Sequence, residues 1–456
     1  MTTHRWLRGL LCFLACLQAT VSWAAPGSPV RAGSPAAAQV TYEFAIYYPG
    51  KPARAPLTDL QTALAQDATL PRRAESLPRE ASSPVLVARL NPDVQKDYRP
   101  PDLAMLQRFG RGLSREQAEA LQTSTLALVV RFAHPQKGAT AAYRRSLHLM
   151  AQLAQDTGGL LWDEETREVF TLDQWRKRRL DTWDGNLPDV SQHTVIHAYQ
   201  SQKMVRAITL GMGKFGLPDV VVQDFSWSMN RPMGNLVNLL SQSLAEGLVI
   251  GPNGRVELAF NRLQHAGARA TQSSDLLAGS QGRAELMLVE GRPEDGDPEN
   301  RLVEIRFDTA PGKDAYARQE ALLSSLYGSK DSITYVQHDA ALLAARDAAR
   351  ARLPALQKAF AAGLAPGEYL LVKAPFDTPA GGLEWMWVEV MTWQGDLIQG
   401  LLKNEPFNIP SLHGGQKVTV SQAKLFDYIR RYADGREEGN ETGRLMQKRQ
   451  ADPPRR

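Results

Sequence analysis

The stretch that decides the fold spans residues 125–170 and begins with the apolar run TLALVVRF at residues 125–132. This run predicts a buried strand, because aliphatic and β-branched residues fill it from Thr125 to Val130. Residues 139–155, ATAAYRRSLHLMAQLAQ, predict a helix with Tyr143, Leu147, Met150 and Ala154 on one face, ended by Gly158-Gly159. Residues 160–162 and 168–170 then predict a hairpin. A strand, a helix and a hairpin in this order are half of an α+β sandwich, so we expect an α+β fold.

Similar patterns flank this stretch. An α+β domain is predicted at residues 40–275, with further strands at 40–48, 85–90, 193–199, 205–210 and 219–223 and a helix at 232–246. Residues 276–363 are interpreted as a hairpin (284–289 and 302–307) followed by helices at 314–326 and 338–353. The tip of this hairpin, residues 292–300, is too polar to be buried.

The C-terminal part is rich in predicted strands. After a linker at residues 363–367, strands are expected at 368–373, 384–392, 397–402 and 417–421, and a closing helix at 421–432. We therefore predict a multi-domain chain with N-terminal sandwich-like modules and a small β-rich domain at residues 366–446. A disordered tail is expected at residues 447–456.

The first 25 residues are typical of an export signal. A basic start with Arg5 and Arg8 precedes an apolar core at residues 10–17, and small residues end the segment at Ala24 and Ala25. A lipid anchor on Cys16 is disfavoured, because Phe13 is a poor residue three positions earlier. We expect a periplasmic or secreted protein, with a flexible linker at residues 26–39 and no spanning segment in the mature chain.

Composition limits the possible functions. The 456 residues carry 53 Lys+Arg and 49 Asp+Glu, a net charge of +4, and this near balance gives no reason to expect nucleic acid as a partner. Both cysteines, Cys12 and Cys16, lie in the predicted signal. The mature chain is therefore expected to lack disulfides, thiol nucleophiles and cysteine metal sites.

The C-terminal region also resembles a known family. The ordered series WMWVEV (385–390), GLLKNEP (400–406), GGQKV (414–418), Asp427-Tyr428 and GREEGNETG (435–443) resembles the bacterial domain of unknown function 2314, also called YegJ-like, over residues 366–446. Residues 209–219, TLGMGKFGLPD, are similar to a segment of longer proteins that carry this domain. The resemblance implies a small β-rich fold and a bacterial origin. It implies no reaction and transfers no catalytic residue.

Two short motifs invite a cofactor or metal interpretation. Gly211, Gly213 and Gly216 match the dinucleotide-binding string, but a strand-like run follows where that site needs a helix N-terminus, so a tight turn is favoured. His193 and His197 are four apart in a predicted strand, a spacing of about 13 Å that separates metal ligands. We predict no cofactor and no metal.

Two charged runs are interpreted as surface features. Asp163-Glu164-Glu165 with Glu168 is read as a charged turn between strands rather than as a cation or acid–base site, and the run 176–179, RKRR, as a solvated helix face. Neither a Gly-x-Ser-x-Gly elbow nor a Walker loop is present, so no catalytic residue is assigned.

Tryptophans concentrate in the C-terminal region. Trp385, Trp387 and Trp393 lie within nine residues, and in a strand Trp385, Trp387 and Glu389 share one face. Tryptophan fills cores more often than it forms recognition surfaces, so both roles stay open. The candidate partner-binding residues are Trp385, Trp387, Glu389, Asn404, Asn440, Glu441 and Thr442.

Three functions are compatible with these observations. The favoured hypothesis is a non-catalytic exported protein that binds a protein or another envelope component. The alternatives are a periplasmic partner that neutralises a toxin, by analogy with bacterial conflict systems, and a hydrolase with an unrecognised site.

Overall fold

The structure is a computed structural model. It describes residues 27–201, 204–225, 229–274, 276, 280–312, 315–328, 340–364, 368–404, 406–412, 416–432, 434 and 436–451. The predicted export signal at residues 1–25 lies outside the described residues. Three larger β-sheets and the helices between them give the α+β fold that the sequence predicts.

The first sheet has seven strands in the order β2-β3-β5-β1-β6-β7-β4. Its strands are β1 (Gln39–Tyr48), β2 (Arg72–Arg73), β3 (Val85–Asn91), β4 (Gly110–Arg111), β5 (Leu126–Pro135), β6 (Leu160–Asp163) and β7 (Glu168–Phe170). The helices among them are α1 (Pro56–Gln66), α2 (Val94–Asp97), α3 (Leu103–Phe109), α4 (Arg115–Leu121) and α5 (Ala139–Thr157). The predicted strand, helix and hairpin of residues 125–170 are confirmed as β5, α5 and β6–β7.

A short connection leads to the second sheet. It consists of α6 (Leu172–Trp175), a π-helix (Arg176–Leu180), the strand pair β8 (Trp183–Asp184) and β9 (Leu187–Pro188), and α7 (Val190–His193). The second sheet has the order β10-β11-β12-β15-β14-β13. Its strands are β10 (Val195–Ser201), β11 (Met204–Leu210), β12 (Asp219–Phe225), β13 (Arg255–Ala259), β14 (Arg283–Glu290) and β15 (Leu302–Arg306), and its helices are α8 (Asn230–Ala245), α9 (Ala266–Ser274) and α10 (Ala315–Tyr327).

One hydrophobic core joins the first two sheets. Its buried members extend from Val30 to Tyr327 and include the inner faces of α5 and α8. The hairpin β14–β15 pairs with β13 and β12, so a boundary at residue 275 divides the second sheet. The local pattern could not reveal this arrangement, because the pairing of β12 with β15 joins strands about 80 residues apart.

The segment expected to be a flexible linker packs along the second sheet. Gly27 N and Val30 N donate hydrogen bonds to Glu290 O and Leu288 O, and Gly33 exchanges hydrogen bonds with Ile250. Its Pro- and Ala-rich composition predicted a spacer, but these isolated bridges need only backbone groups. Residues 27–33 thus have backbone partners in the second sheet, and the bounds of the linker stay a prediction.

The third sheet forms the C-terminal unit. It has the order β19-β18-β17-β16-β20-β21, and every neighbouring pair is antiparallel. The elements are α11 (Ala340–Ala361), β16 (Tyr369–Asp377), β17 (Leu383–Gln394), β18 (Leu397–Leu402), β19 (Lys417–Ser421), β20 (Asp427–Arg431), β21 (Glu437–Gly439) and α12 (Glu441–Ala451). The unit is β-rich and ends in a helix, as the sequence predicts.

Two details of this unit differ from expectation. The predicted closing helix at residues 421–432 is wrong, because Asp427–Arg431 is the strand β20 and the closing helix is α12. Helix α11, which the sequence assigned to the preceding segment, contributes Ala349, Leu353 and Leu356 to the core of the third sheet. Helix α12 also continues to Ala451, into the predicted tail.

Candidate functional site

Strand β17 separates its side chains between two faces of the third sheet. Met386, Val388 and Val390 are buried in the core that α11 covers, whereas Trp385 and Trp387 lie on the opposite face and are half-buried. We call this opposite side the outer face. This separation follows from the strand geometry, because successive side chains of residues 385–390 point to opposite sides of the sheet.

Trp393 belongs to the core instead. The register between β17 and β18 shifts between Val390 and Thr392, and this irregularity turns Trp393 toward the core, where it is 8% exposed. Its indole Nε1 donates a hydrogen bond of 3.0 Å to Gln422 Oε1. The three clustered tryptophans therefore have different environments, one in the core and two on the outer face.

The strand register defines the other members of the outer face. Lys373 lies directly opposite Trp387, and Glu389 lies between Leu371 and Leu401. Ile429 lies on the other side of Leu371. The outer face thus combines apolar side chains with charged ones, since Asp427 and Arg431 of β20 and Lys417 of β19 take register positions on the same side.

Neighbouring polar groups hold the two tryptophans in place. Asn404 Oδ1 accepts a 2.6 Å hydrogen bond from Trp387 N, and Lys403 Nζ lies 3.1 Å from Glu389 Oε2. The rings of Trp385 and Phe426 are 4.6 Å apart. The Asn404 side chain therefore supports β17 by hydrogen bonding to its backbone, and Glu389 forms an ion pair with Lys403.

Of the predicted residues in the 440–442 turn, Thr442 is connected to the outer face by hydrogen bonds to Asp427. Thr442 is fully buried, and its N and Oγ1 donate to Asp427 Oδ2 at 2.8 and 2.6 Å. Asp427 is the register partner of Lys373. Asn440 adopts a φ of 63° at the turn, while Glu441 is exposed and pairs with Arg444. Thr442 thus positions Asp427 and is not exposed to a partner.

An open depression of about 510 Å³ lies near this turn. Its lining includes Arg436, Glu438, Glu441 and Arg444. Their charges are compensated locally, since Arg436 pairs with Asp434, Glu441 with Arg444, and Glu438 with Arg352. The depression therefore has no excess charge that would select a ligand.

Sequence reasoning missed a cluster of buried charges between the first two sheets. Lys214 Nζ lies 2.6 Å from Asp163 Oδ2, and Arg179 Nη2 lies 3.0 Å from the same oxygen and 2.7 Å from Glu168 Oε2. All four side chains are at most 1% exposed. Asp163 belongs to β6 and Lys214 to the turn after β11, so these ion pairs join the two sheets.

The cluster corrects two interpretations of the charged runs. The acidic run is a turn between β6 and β7 as expected, but Asp163 and Glu168 at its ends are buried rather than solvated. The run at 176–179 is not simply a solvated helix face, because Arg179 is fully buried. The wider π-helical turn at Arg176–Leu180 accompanies this inward placement.

Burial and ion pairing shift the pKa values of this region in opposite directions. Burial would raise the pKa of Glu168, but Arg111 and Arg179 lower it to about 2. Burial raises the pKa of Glu165 to about 7, although Lys214 opposes the shift. It also raises the pKa of Asp219 to about 6, against hydrogen bonds from Asn300, Thr209 and Met212.

The glycine motif forms the turn that carries Lys214. Gly211 and Gly216 have φ values of 108° and 71°, and a 3₁₀ helix at Met212–Phe215 lies between them. A Cβ on Gly216 would come within 2.8 Å of Val40 Cγ2. The tight turn between strands is confirmed, and its glycines also permit close contact with the first sheet.

The two histidines do not form a pair. His193 ends α7 and is buried, with Nδ1 2.9 Å from Tyr143 OH, whereas His197 lies in β10 beside Phe109. Among the described residues, no three or more histidine, cysteine, aspartate or glutamate side chains come together as metal ligands would. Within the described ranges, every helix is also too short or too polar to span a bilayer.

The comparisons with known proteins concern the C-terminal unit. No curated protein and no solved structure matches the chain. Residues 339–455 match the family described as an uncharacterized protein conserved in bacteria, DUF2314, which confirms the resemblance in this region. The match begins one residue before α11, so the region similar to this family includes the helix that packs on the third sheet.

Proposed function

We propose that this is an exported, non-catalytic bacterial binding protein that recognises a protein partner through the outer face of the third sheet. The observation that carries the proposal is the placement of Trp385 and Trp387. Both are half-buried on the face opposite α11, whereas Trp393 fills the core. A partly exposed tryptophan on a rigid sheet is a typical anchor of a protein interface.

The distribution of exposed apolar side chains supports this choice. Five of the eight large hydrophobic residues that are exposed in the described part of the chain belong to the C-terminal unit, which is about a quarter of the sequence: Tyr369, Leu383, Met391, Leu397 and Phe407. Exposed apolar surface that concentrates in one region is characteristic of interaction sites. The described N-terminal part contributes only three.

The buried charges favour binding over catalysis. Asp163, Arg179 and Lys214 have the residue types of an active site, but their side chains are fully buried and form ion pairs with one another. A substrate would have to separate the two sheets to reach them. The hypothesis of a hydrolase with dispersed acids therefore gains no support, and toxin neutralisation stays an alternative within the class of protein binding.

The export part of the proposal rests on the signal-like residues 1–25. We expect N-terminal sequencing of the exported protein to begin at Ala25 or Pro26, close to Gly27, the first described residue, whose N–H is hydrogen-bonded to Glu290. An intact Met1 or a lipid on Cys16 would contradict this expectation.

Two substitutions test the binding face. Trp387→Ala should leave the melting temperature nearly unchanged and weaken partner capture from envelope extract about 30-fold, the equivalent of about 2 kcal/mol. Trp393→Ala is the matched control, and it should cost about 3–5 kcal/mol of stability because it empties a core position. If Trp387→Ala unfolds the C-terminal unit as Trp393→Ala does, the outer face is scaffold and the proposal fails.

A further inference from the structure

One cation on the outer face, Lys373, lacks an ion pair and a side-chain hydrogen bond among the described residues. Lys373 is half-buried, and its ammonium forms no hydrogen bond or ion pair with any residue in the described ranges. Its Nζ lies 5.6 Å from the centroid of the Trp387 ring. A cation at this distance from an aromatic face gains a weak attraction, which does not replace a hydrogen-bonding anion.

The contrast with Lys214 shows how this fold compensates a buried ammonium. Lys214 has a carboxylate oxygen at 2.6 Å, and Arg179 shares the same carboxylate. Asp427, the register partner of Lys373, instead accepts hydrogen bonds from Thr442 N, Thr442 Oγ1 and Tyr428 N. The one carboxylate opposite Lys373 in the sheet is thus occupied by the start of α12.

The electrostatics agree with an incompletely compensated charge. Burial lowers the pKa of Lys373, and Asp427 offsets the shift only in part. The charged ammonium therefore costs folding free energy. The Lys373 ammonium lies beside two tryptophans and lacks full compensation, so it is well suited to bind an anionic group of a ligand.

We propose that Lys373 binds a carboxylate of the partner, so the outer face recognises an acidic, partly apolar segment of another protein. This inference rests on the proposed function and adds the chemistry of the partner. Trp385 and Trp387 would contact apolar side chains on either side of the carboxylate. A single ammonium suits one carboxylate, and Glu389, which lies two residues from Trp387, disfavours a dense polyanion such as a lipid headgroup surface.

Binding of model peptides to the mature full-length chain tests the inference. The probe is an eight-residue peptide of alternating leucine and glutamate, capped at both ends, and the comparison peptide has glutamine in place of glutamate. Calorimetry should show at least about tenfold tighter binding of the glutamate peptide. A third peptide, with glutamine side chains and a free C-terminus, distinguishes a terminal carboxylate from a side-chain carboxylate. If it binds more tightly than the glutamate peptide, recognition of an acidic segment is overturned.

Variants assign the effect to one side chain. Lys373→Met keeps the apolar stem and should remove the preference for glutamate without lowering the melting temperature, because it removes a desolvated charge. Lys373→Arg should retain most of the preference, and Lys424→Met, at an exposed position of the same unit, is the control that should change nothing.

The outcomes separate the two proposals. If Trp387→Ala abolishes peptide binding but Lys373→Met binds both capped peptides as the wild type does, the carboxylate inference is overturned and the binding face stands. If neither substitution affects binding or partner capture, the binding face itself is refuted. Binding to phosphatidylglycerol vesicles with no preference among the peptides would assign the outer face to a membrane and overturn the inference.

Discussion

Lys214→Met provides a direct test of the buried charges that join the first two sheets. The substitution keeps most of the side-chain volume but removes the ammonium that lies 2.6 Å from Asp163. Asp163 then retains Arg179, at 3.0 Å and shared with Glu168, and a long hydrogen bond of 3.4 Å from Thr166 N. Because all these groups are at most 1% exposed, water cannot replace the lost partner.

The expected loss is large for a single residue. Removing one partner of a buried ion pair typically costs about 3–5 kcal/mol, against a total stability of about 5–15 kcal/mol for a domain. Urea unfolding followed by tryptophan fluorescence measures the change. The double variant Lys214→Met/Asp163→Asn should lose less than the sum of the two single variants, since neither partner then leaves the other unpaired.

An exposed pair of the same chemistry is the control. Arg262 Nη2 lies 2.6 Å from Glu257 Oε2, but the two side chains are 60% and 44% exposed. Arg262→Met should therefore cost at most about 1 kcal/mol. If Lys214→Met costs no more than Arg262→Met, the buried charges do not join the sheets in the way described.

Three further predictions concern stability and domain organisation. Burial lowers the pKa of His134 to about 4, so this side chain becomes protonated in the unfolded state near pH 6.5 but stays neutral in the folded state. The free energy of unfolding should therefore fall by up to about 3 kcal/mol between pH 6.5 and pH 4. His134→Asn should flatten this pH dependence in thermal scans, and an unchanged slope would contradict the assignment. Limited proteolysis should cut between Tyr327 and Ala340 and release a stable fragment that includes α11, because α11 packs on the third sheet. A surviving fragment that begins near residue 366 would instead favour the boundary predicted from the sequence. Gly216→Ala should lower the free energy of unfolding by more than about 1 kcal/mol in urea, because the positive φ and the contact with Val40 both oppose a Cβ. In the control Gly185→Ala, only the positive φ opposes the Cβ. Equal losses in the two variants would show that the contact with Val40 is unimportant.

The sequence predicts elements well where one local period dominates. Residues 125–170 have uninterrupted strand and helix patterns, and β5, α5 and the β6–β7 hairpin follow them. The alternation of Trp385, Trp387 and Glu389 with buried residues likewise predicts a shared face, and the structure places all three on it.

Prediction fails where distant pairing decides the structure. Leu425, Tyr428 and Ile429 have helical spacing, yet β20 forms between β16 and β21, and its partner residues in β16 are about 55–60 residues away. Hydrogen bonding to two neighbouring strands outweighs the local pattern, particularly for β-prone residues such as Tyr428 and Ile429.

The buried charges were missed for a related reason. Asp163, Arg179 and Lys214 lie in three separate charged or glycine-rich segments, and charged runs are usually solvated. Only their ion pairing at the contact between the two sheets offsets the cost of burying their charges. The one local signal was the acidic residue Asp163 directly after the apolar run 160–162, where the chain is still inside the core.

Site-specific photocrosslinking in cells tests the central claim most directly, because it reports which surface meets a partner in place. A benzophenone side chain at Gln399, which is exposed on the outer face, is compared with the same group at Asn261, which is exposed on the N-terminal part. We predict a discrete protein adduct from position 399 that disappears in the Trp387→Ala background, and none from position 261. An adduct from position 261 alone, or one from position 399 that Trp387→Ala leaves unchanged, would contradict recognition through the outer face.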